Sequence, residues 1–140
     1  MSYNEDIWRA YVSAYDIDVP EERIEQEYEL VRADMLHRMT YAHMTGAETH
    51  VFPQYELAGQ EDELRAAALF EAKEPLVLRD LTAKLEVDVT PEELLAEGEA
   101  IAARQGSTIE QVRRFFGEDL SLLERDVRER KIRAWACAQV

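Results

Sequence analysis

At 140 residues the chain has the length of one domain, 1–140, with room for a modest core. Its 46% apolar and 33% charged residues rule out wholesale disorder, and a net charge of −14 opposes nucleic acid and anionic membranes as direct partners. Cys137 is the single cysteine, which excludes an internal disulfide framework and multi-cysteine metal motifs; a reducing, cytoplasmic setting fits, and no run approaches the roughly 18 uncharged residues of a membrane span.

The dominant period is helical. Ile7, Trp8, Tyr11, Val12 and Tyr15 form the stripe of a short amphipathic helix that Asn4 caps and that Glu5 and Asp6 favour electrostatically. After "DIDV", Pro20 suits a helix start because its missing N–H would be unpaired there anyway. Ile24, Tyr28, Val31, Met35 and Met39 then recur at three- and four-residue steps, predicting a long helix over 21–44. Gly46, Pro53 and Gly59 mark an irregular connection before Leu64, Ala67, Ala68, Leu78, Leu81 and Leu85 restart the pattern. Pro75 falls inside that third helix and predicts a kink or break near Glu71 to Glu74.

The opening of the second helix, "DIDVPEERIEQE", has a partner in "EVDVTPEELLAEGE". In the second copy Thr90 is an N-cap, Pro91 the first helical residue and Glu93 closes a Thr-x-x-Glu capping box, with Gly106 ending the helix. A short fifth helix follows, with Ser107 and Glu110 expected to form its capping box and Gly117 its stop. The final helix offers Leu120, Leu123, Val127 and Trp135 as a buried stripe; Trp8 and Trp135 would meet if the first and last helices pack together. Only "LEVDVT" looks extended, and no hairpin signal occurs, so the fold class expected is all-α.

The order "VPEERIEQEYELVRADM", a connection, "ELRAAALFEAKEPLVLRDLTAKLEVDVTPEELLAEGEAIAARQGSTIEQVRRFF", then "LLERDVRERKI" resembles the C-terminal chaperone domain of bacterial trigger factor, over roughly residues 5 to 136. The resemblance implies an elongated helical bundle with a projecting helical arm, forming an open, partly apolar cradle for unfolded chains. Full trigger factors also carry a ribosome-docking domain with a Gly-Phe-Arg-x-Gly-Lys loop and a prolyl isomerase domain. Neither pattern occurs in these residues, so those activities are not implied.

Residues 35–57 supply the arm candidate from composition alone. They hold three methionines, all three histidines, Tyr41, Phe52 and Tyr55, with only Arg38, Glu48 and Glu56 fully charged. Methionine is flexible and polarisable and adapts to varied apolar ligands, so Met35, Met39, Tyr41, Met44, Phe52, Tyr55 and Leu57 are candidate client contacts. Core packing is the competing explanation: it is favoured for Met35 and Met39, and for Met44, Phe52, Tyr55 and Leu57, beside turn signals, it stands level with client contact. Phe115 joins the client-binding candidates because it neighbours Phe116 and a helix points adjacent residues in different directions; one lines a groove while the other packs inward.

Nothing in the residues points to catalysis. His37, His43 and His50 are six and seven apart, without the four-residue step that aligns two ligands on a helix, so no metal or other cofactor is expected. Cys137 reads as buried or incidental, the paired carboxylates at helix starts are explained by capping and the macrodipole, and Gly98, Gly106 and Gly117 are isolated rather than a phosphate loop. The strong negative charge also suits a chaperone that exposes apolar patches yet stays soluble. The expected function is an ATP-independent holdase for unfolded or nascent polypeptides, with a homodimer possible. The alternative is an interaction or dimerisation module for one folded partner.

Overall fold

A computed structural model describes residues 3–46 and 57–140, apart from the His43 side chain. Six α-helices lie wholly within the described residues: α1 (Glu5–Ala14), α2 (Glu21–Met44), α3 (Glu61–Leu85), α4 (Pro91–Gln105), α5 (Ile109–Phe116) and α6 (Glu124–Ala138), the last preceded by a 3-10 turn at Ser121–Leu123. No strand forms among them, so the chain is all-α; the "LEVDVT" stretch is a link in which Glu86 takes a left-handed φ of 50°. The chain divides into two compact units, one drawn from Met1–Tyr11 with Leu78–Val140, the other from Val12–Val77.

In the Val12–Val77 unit, α2 spans the range that its apolar period predicts. Its inner face places Tyr28 and Met39 in a core with Leu57, Leu64 and Ala68, and Val31, Met35 and Leu36 pack at its edge. Arg65 ties α3 to α2: its guanidinium lies 4.1 Å from the centre of the Tyr28 ring and donates to Glu25 at 2.9 Å and Glu61 at 3.3 Å. Lys73 Nζ donates to the Ser13 carbonyl at 3.0 Å, fixing the end of α1 against α3. Where α2 stops, Gly46 takes a φ of 74° and the Thr45 hydroxyl donates back to the Tyr41 and Ala42 carbonyls.

Of the kink or break expected near Glu71 to Glu74, the break does not occur: α3 runs continuously through Pro75. Proline removes one intrahelical donor, which leaves the Glu71 carbonyl without that partner, at a cost of about 3 kcal/mol in a helix interior. Both Pro75 and Glu71 are on the exposed side, where water serves the carbonyl, while Ala72, Val77 and Leu78 are buried on the other side and hold the helix in place. Burial of one face overrides the local propensity.

The other unit is built on caps. Thr90 Oγ accepts from the Glu93 amide at 3.2 Å and Glu93 Oε1 accepts from the Thr90 amide at 3.1 Å, the capping box that the sequence predicts. Gly106, at φ 63°, ends α4, and both its amide and that of Ser107 donate to the Ala102 carbonyl. The next cap is one residue later than expected: Thr108, not Ser107, caps α5, pairing with Gln111 rather than Glu110. Ser107 is unavailable because its amide already belongs to the closing turn of α4.

Leu94, Ala102, Val112, Leu120, Leu123 and Val127 form the core here, with Val89, Ile101, Ile109 and Phe116 against it. From α6, two arms of charge hold the 86–90 link. Arg128 Nε donates to the Val87 carbonyl at 3.3 Å, and Lys131 Nζ to the Asp88 carbonyl at 2.6 Å and to Glu93 at 2.9 Å. The buried stripe of α6 is Val127, Ile132 and Ala136; Trp135, placed in it by the sequence reading, is 39% exposed. Trp8 is fully buried, but it meets Arg133, 5.7 Å from its ring centre, rather than Trp135. Arg133 also lies over Tyr3, and the Cys137 thiol approaches the Asn4 carbonyl at 3.6 Å, so α1 and α6 do touch.

Candidate functional site

Helix α5 separates its faces sharply. Val112 and Phe116, four residues apart, face inward: Val112 is buried and Phe116 packs at the core edge. Phe115 points the other way and is 82% exposed. The adjacent phenylalanines therefore divide as the helical geometry requires.

Beside them lies a groove of about 540 Å³ lined by Ile101 and Gln105 of α4, by Ser107, and by Gln111, Val112, Arg114, Phe115 and Phe116 of α5. Its floor is aliphatic and aromatic, its polar groups are the Gln105 and Gln111 amides, the Ser107 hydroxyl and the Arg114 guanidinium, and no carboxylate lines it. Such a surface suits apolar side chains and can hydrogen-bond an extended backbone, and its lining has no general base to activate the Ser107 hydroxyl. Of these lining residues the sequence names Phe115 as a candidate but not Ile101, Gln105 or Arg114, whose only signal is an interval that places α4 and α5 as neighbours.

A smaller cleft of about 250 Å³ lies between α4 and α6, lined by Glu93, Ala96, Glu97, Ala100, Val127 and Arg130. Its charges are already paired. Glu97 is 2.8 Å from Arg130 and 3.6 Å from Arg104, and the hydrogen bond from Arg130 holds its carboxyl below the usual range. The hydrogen bond from Lys131 does the same for Glu93. Both carboxylates favour the ionised form and join α4 to α6 through these pairs.

On α2, the outward stripe Leu30, Asp34, His37, Tyr41 and Met44 mixes polar and apolar residues, with Tyr41 63% and Met44 78% exposed. Apolar side chains thus occur on both sides of this helix. Of the remaining candidates, Met35 is half-buried at the core edge and Met39 is buried in the core. Leu57, an expected client contact, is 1% exposed because it packs with Leu64 and Ala68; in this conformation it offers a client nothing. Phe52, Tyr55 and His50 lie outside the described residues. Among the described residues no group of His, Cys, Asp and Glu is placed to hold a metal ion, and no helix is long and apolar enough to cross a membrane.

An exposed aromatic beside an apolar groove on a helical body agrees with what a comparison of the sequence finds. Residues 2–138 match the family profile for the C-terminus of bacterial trigger factor protein. This chain belongs to the trigger factor C-terminal family. No curated protein and no solved structure matches it. The trigger factor C-terminal domain has a general chaperone role, binding unfolded polypeptides, and is non-catalytic. Among the described residues, the groove at Phe115 and the outward side of α2 are two places where apolar side chains stay open.

Proposed function

We propose that the chain is an ATP-independent holdase acting in the cytoplasm, which shields apolar segments of unfolded polypeptides reversibly and releases them without chemistry. Phe115 carries this reading: a large aromatic held 82% exposed at the lip of an apolar groove, in a family whose C-terminal domain binds polypeptides. A phenylalanine left in water forgoes about 1.5–3 kcal/mol of burial, and a bound segment that covers it recovers that stabilisation. Tyr41 and Met44 on α2 provide a second, more adaptable apolar surface, to which the sequence adds Phe52 and Tyr55. Each surface works within its own unit.

Binding of a fluorescently labelled, permanently unfolded polypeptide tests this. Phe115→Ser should weaken binding several-fold, and Tyr41→Ser with Met44→Ser should add to the loss, with helical content unchanged. Full affinity in the triple variant would contradict the assignment of these surfaces.

A further inference from the structure

One glutamine serves both the cap of α5 and the wall of the groove. Gln111 Oε1 accepts from the Thr108 amide at 3.0 Å, while the Gln111 amide donates to Thr108 Oγ at 3.3 Å. A backbone N–H can only donate, so the side-chain atom that meets it is the oxygen, and the carboxamide has a single permitted orientation. Its nitrogen is the free end: Nε2 carries two donors and has no partner among the described residues. Gln111 is exposed, lines the groove and stands one turn before Phe115 on the same side of the helix.

The cap itself does not require an amide. Glu serves a capping box as well as Gln, and a carboxylate in the first turn gains from the helix dipole besides. In α4 the equivalent position is Glu93, which closes the Thr90 box through its oxygen and pairs with Lys131. In a chain with 30 Asp and Glu residues, α5 instead has a group that caps with one end and donates with the other.

We infer that Gln111 is a specificity-determining residue of the groove, its Nε2 donating to a main-chain carbonyl of the bound segment whose apolar side chain covers Phe115. This role rests on the groove being a client surface and adds what is read there: an unpaired main-chain acceptor beside an apolar side chain. Every residue of an unfolded segment offers such a carbonyl, whereas those buried in a folded protein are already bonded. The contact favours unfolded segments and demands no particular sequence around the apolar anchor.

The test uses the full chain and a labelled peptide with a Leu-Phe core flanked by Ser, with fluorescence anisotropy at low and high salt as the readout. Gln111→Glu keeps the capping oxygen and removes both donors. It should bind the peptide about fivefold more weakly at either salt concentration, with helical content and urea midpoint no lower than in the unmodified chain. In the unmodified chain, saturation with the peptide should move one Gln111 side-chain amide proton downfield in the NMR spectrum and leave the Thr108 amide unchanged, a shift that a glutamine serving only the cap does not show. Phe115→Ser should weaken binding as well. Undiminished binding by Gln111→Glu, a loss that vanishes at high salt, or a Gln111 side-chain amide unmoved by the peptide, with Phe115→Ser still weakening binding, overturns the donor role and leaves the groove as a client surface. No effect of Phe115→Ser overturns both.

Discussion

The side chain of Leu120 lies over the bare backbone of Gly98: a Cβ at position 98 would stand 2.8 Å from Leu120 Cδ1 and 3.0 Å from Ile109 Cδ1. Glycine in mid-helix is normally unfavourable by about 1 kcal/mol, yet here its missing side chain lets Leu120, buried and held at a left-handed φ of 61°, close the core between α4, α5 and α6. Gly98→Val should therefore destabilise by about 2 kcal/mol through overpacking, and Leu120→Ala by about 2–5 kcal/mol through the cavity it leaves. In the double variant the alanine makes room for the valine, so the loss in urea unfolding should be smaller than the sum of the two.

The paired carboxylates of α4 predict an acid-sensitive core. Glu93, Glu97 and Asp119 are held below their ordinary values, Glu93 and Glu97 by hydrogen bonds from Lys131 and Arg130 and Asp119 by the Ser121 amide. A depressed folded-state value means stability that is present above the ordinary value, 4.5 for the two glutamates, and lost as the pH falls through the lowered value. The thermal midpoint should fall as the pH is lowered through and below the ordinary carboxylate range. Glu97→Gln should be less stable at neutral pH and show a shallower acid decline.

Pro75 offers an opposite kind of variant. Because α3 is unbroken and Pro75 is exposed, Pro75→Ala restores an intrahelical donor without disturbing packing. It should stabilise the protein by about 1–3 kcal/mol, read as a higher urea midpoint with an unchanged slope.

The two capping boxes are testable by the same measurement. Thr90→Ala and Thr108→Ala should each cost about 1 kcal/mol. Ser107→Ala should cost far less, since Thr108 supplies the cap.

Much of this architecture was legible in the sequence wherever one local rule acted alone. The Asn4 and Thr90 caps, the Gly106 and Gly117 stops and the full span of α2 follow from short-range chemistry. Errors arose where tertiary packing competes with it. Pro75 is tolerated because Ala72, Val77 and Leu78 are buried around it, and Trp135 is displaced from the α6 stripe by Ile132 and Ala136. The Ser107 cap failed because two candidate caps are adjacent and the closing turn of α4 takes the first. At the candidate site, the Phe115–Phe116 pair could be read from helical geometry, whereas Ile101, Gln105 and Arg114 become its neighbours only when α4 and α5 fold together. Leu57 misled because composition cannot separate an apolar residue beside a turn from one that packs under the next helix.

Aggregation of several unrelated, chemically unfolded proteins, followed by light scattering at near-stoichiometric amounts of the chain without ATP, tests the holdase reading most directly. The account predicts suppression of all of them, with Phe115→Ser markedly weaker at unchanged helical content. No suppression of any, together with a tight complex with a single native partner, would contradict it.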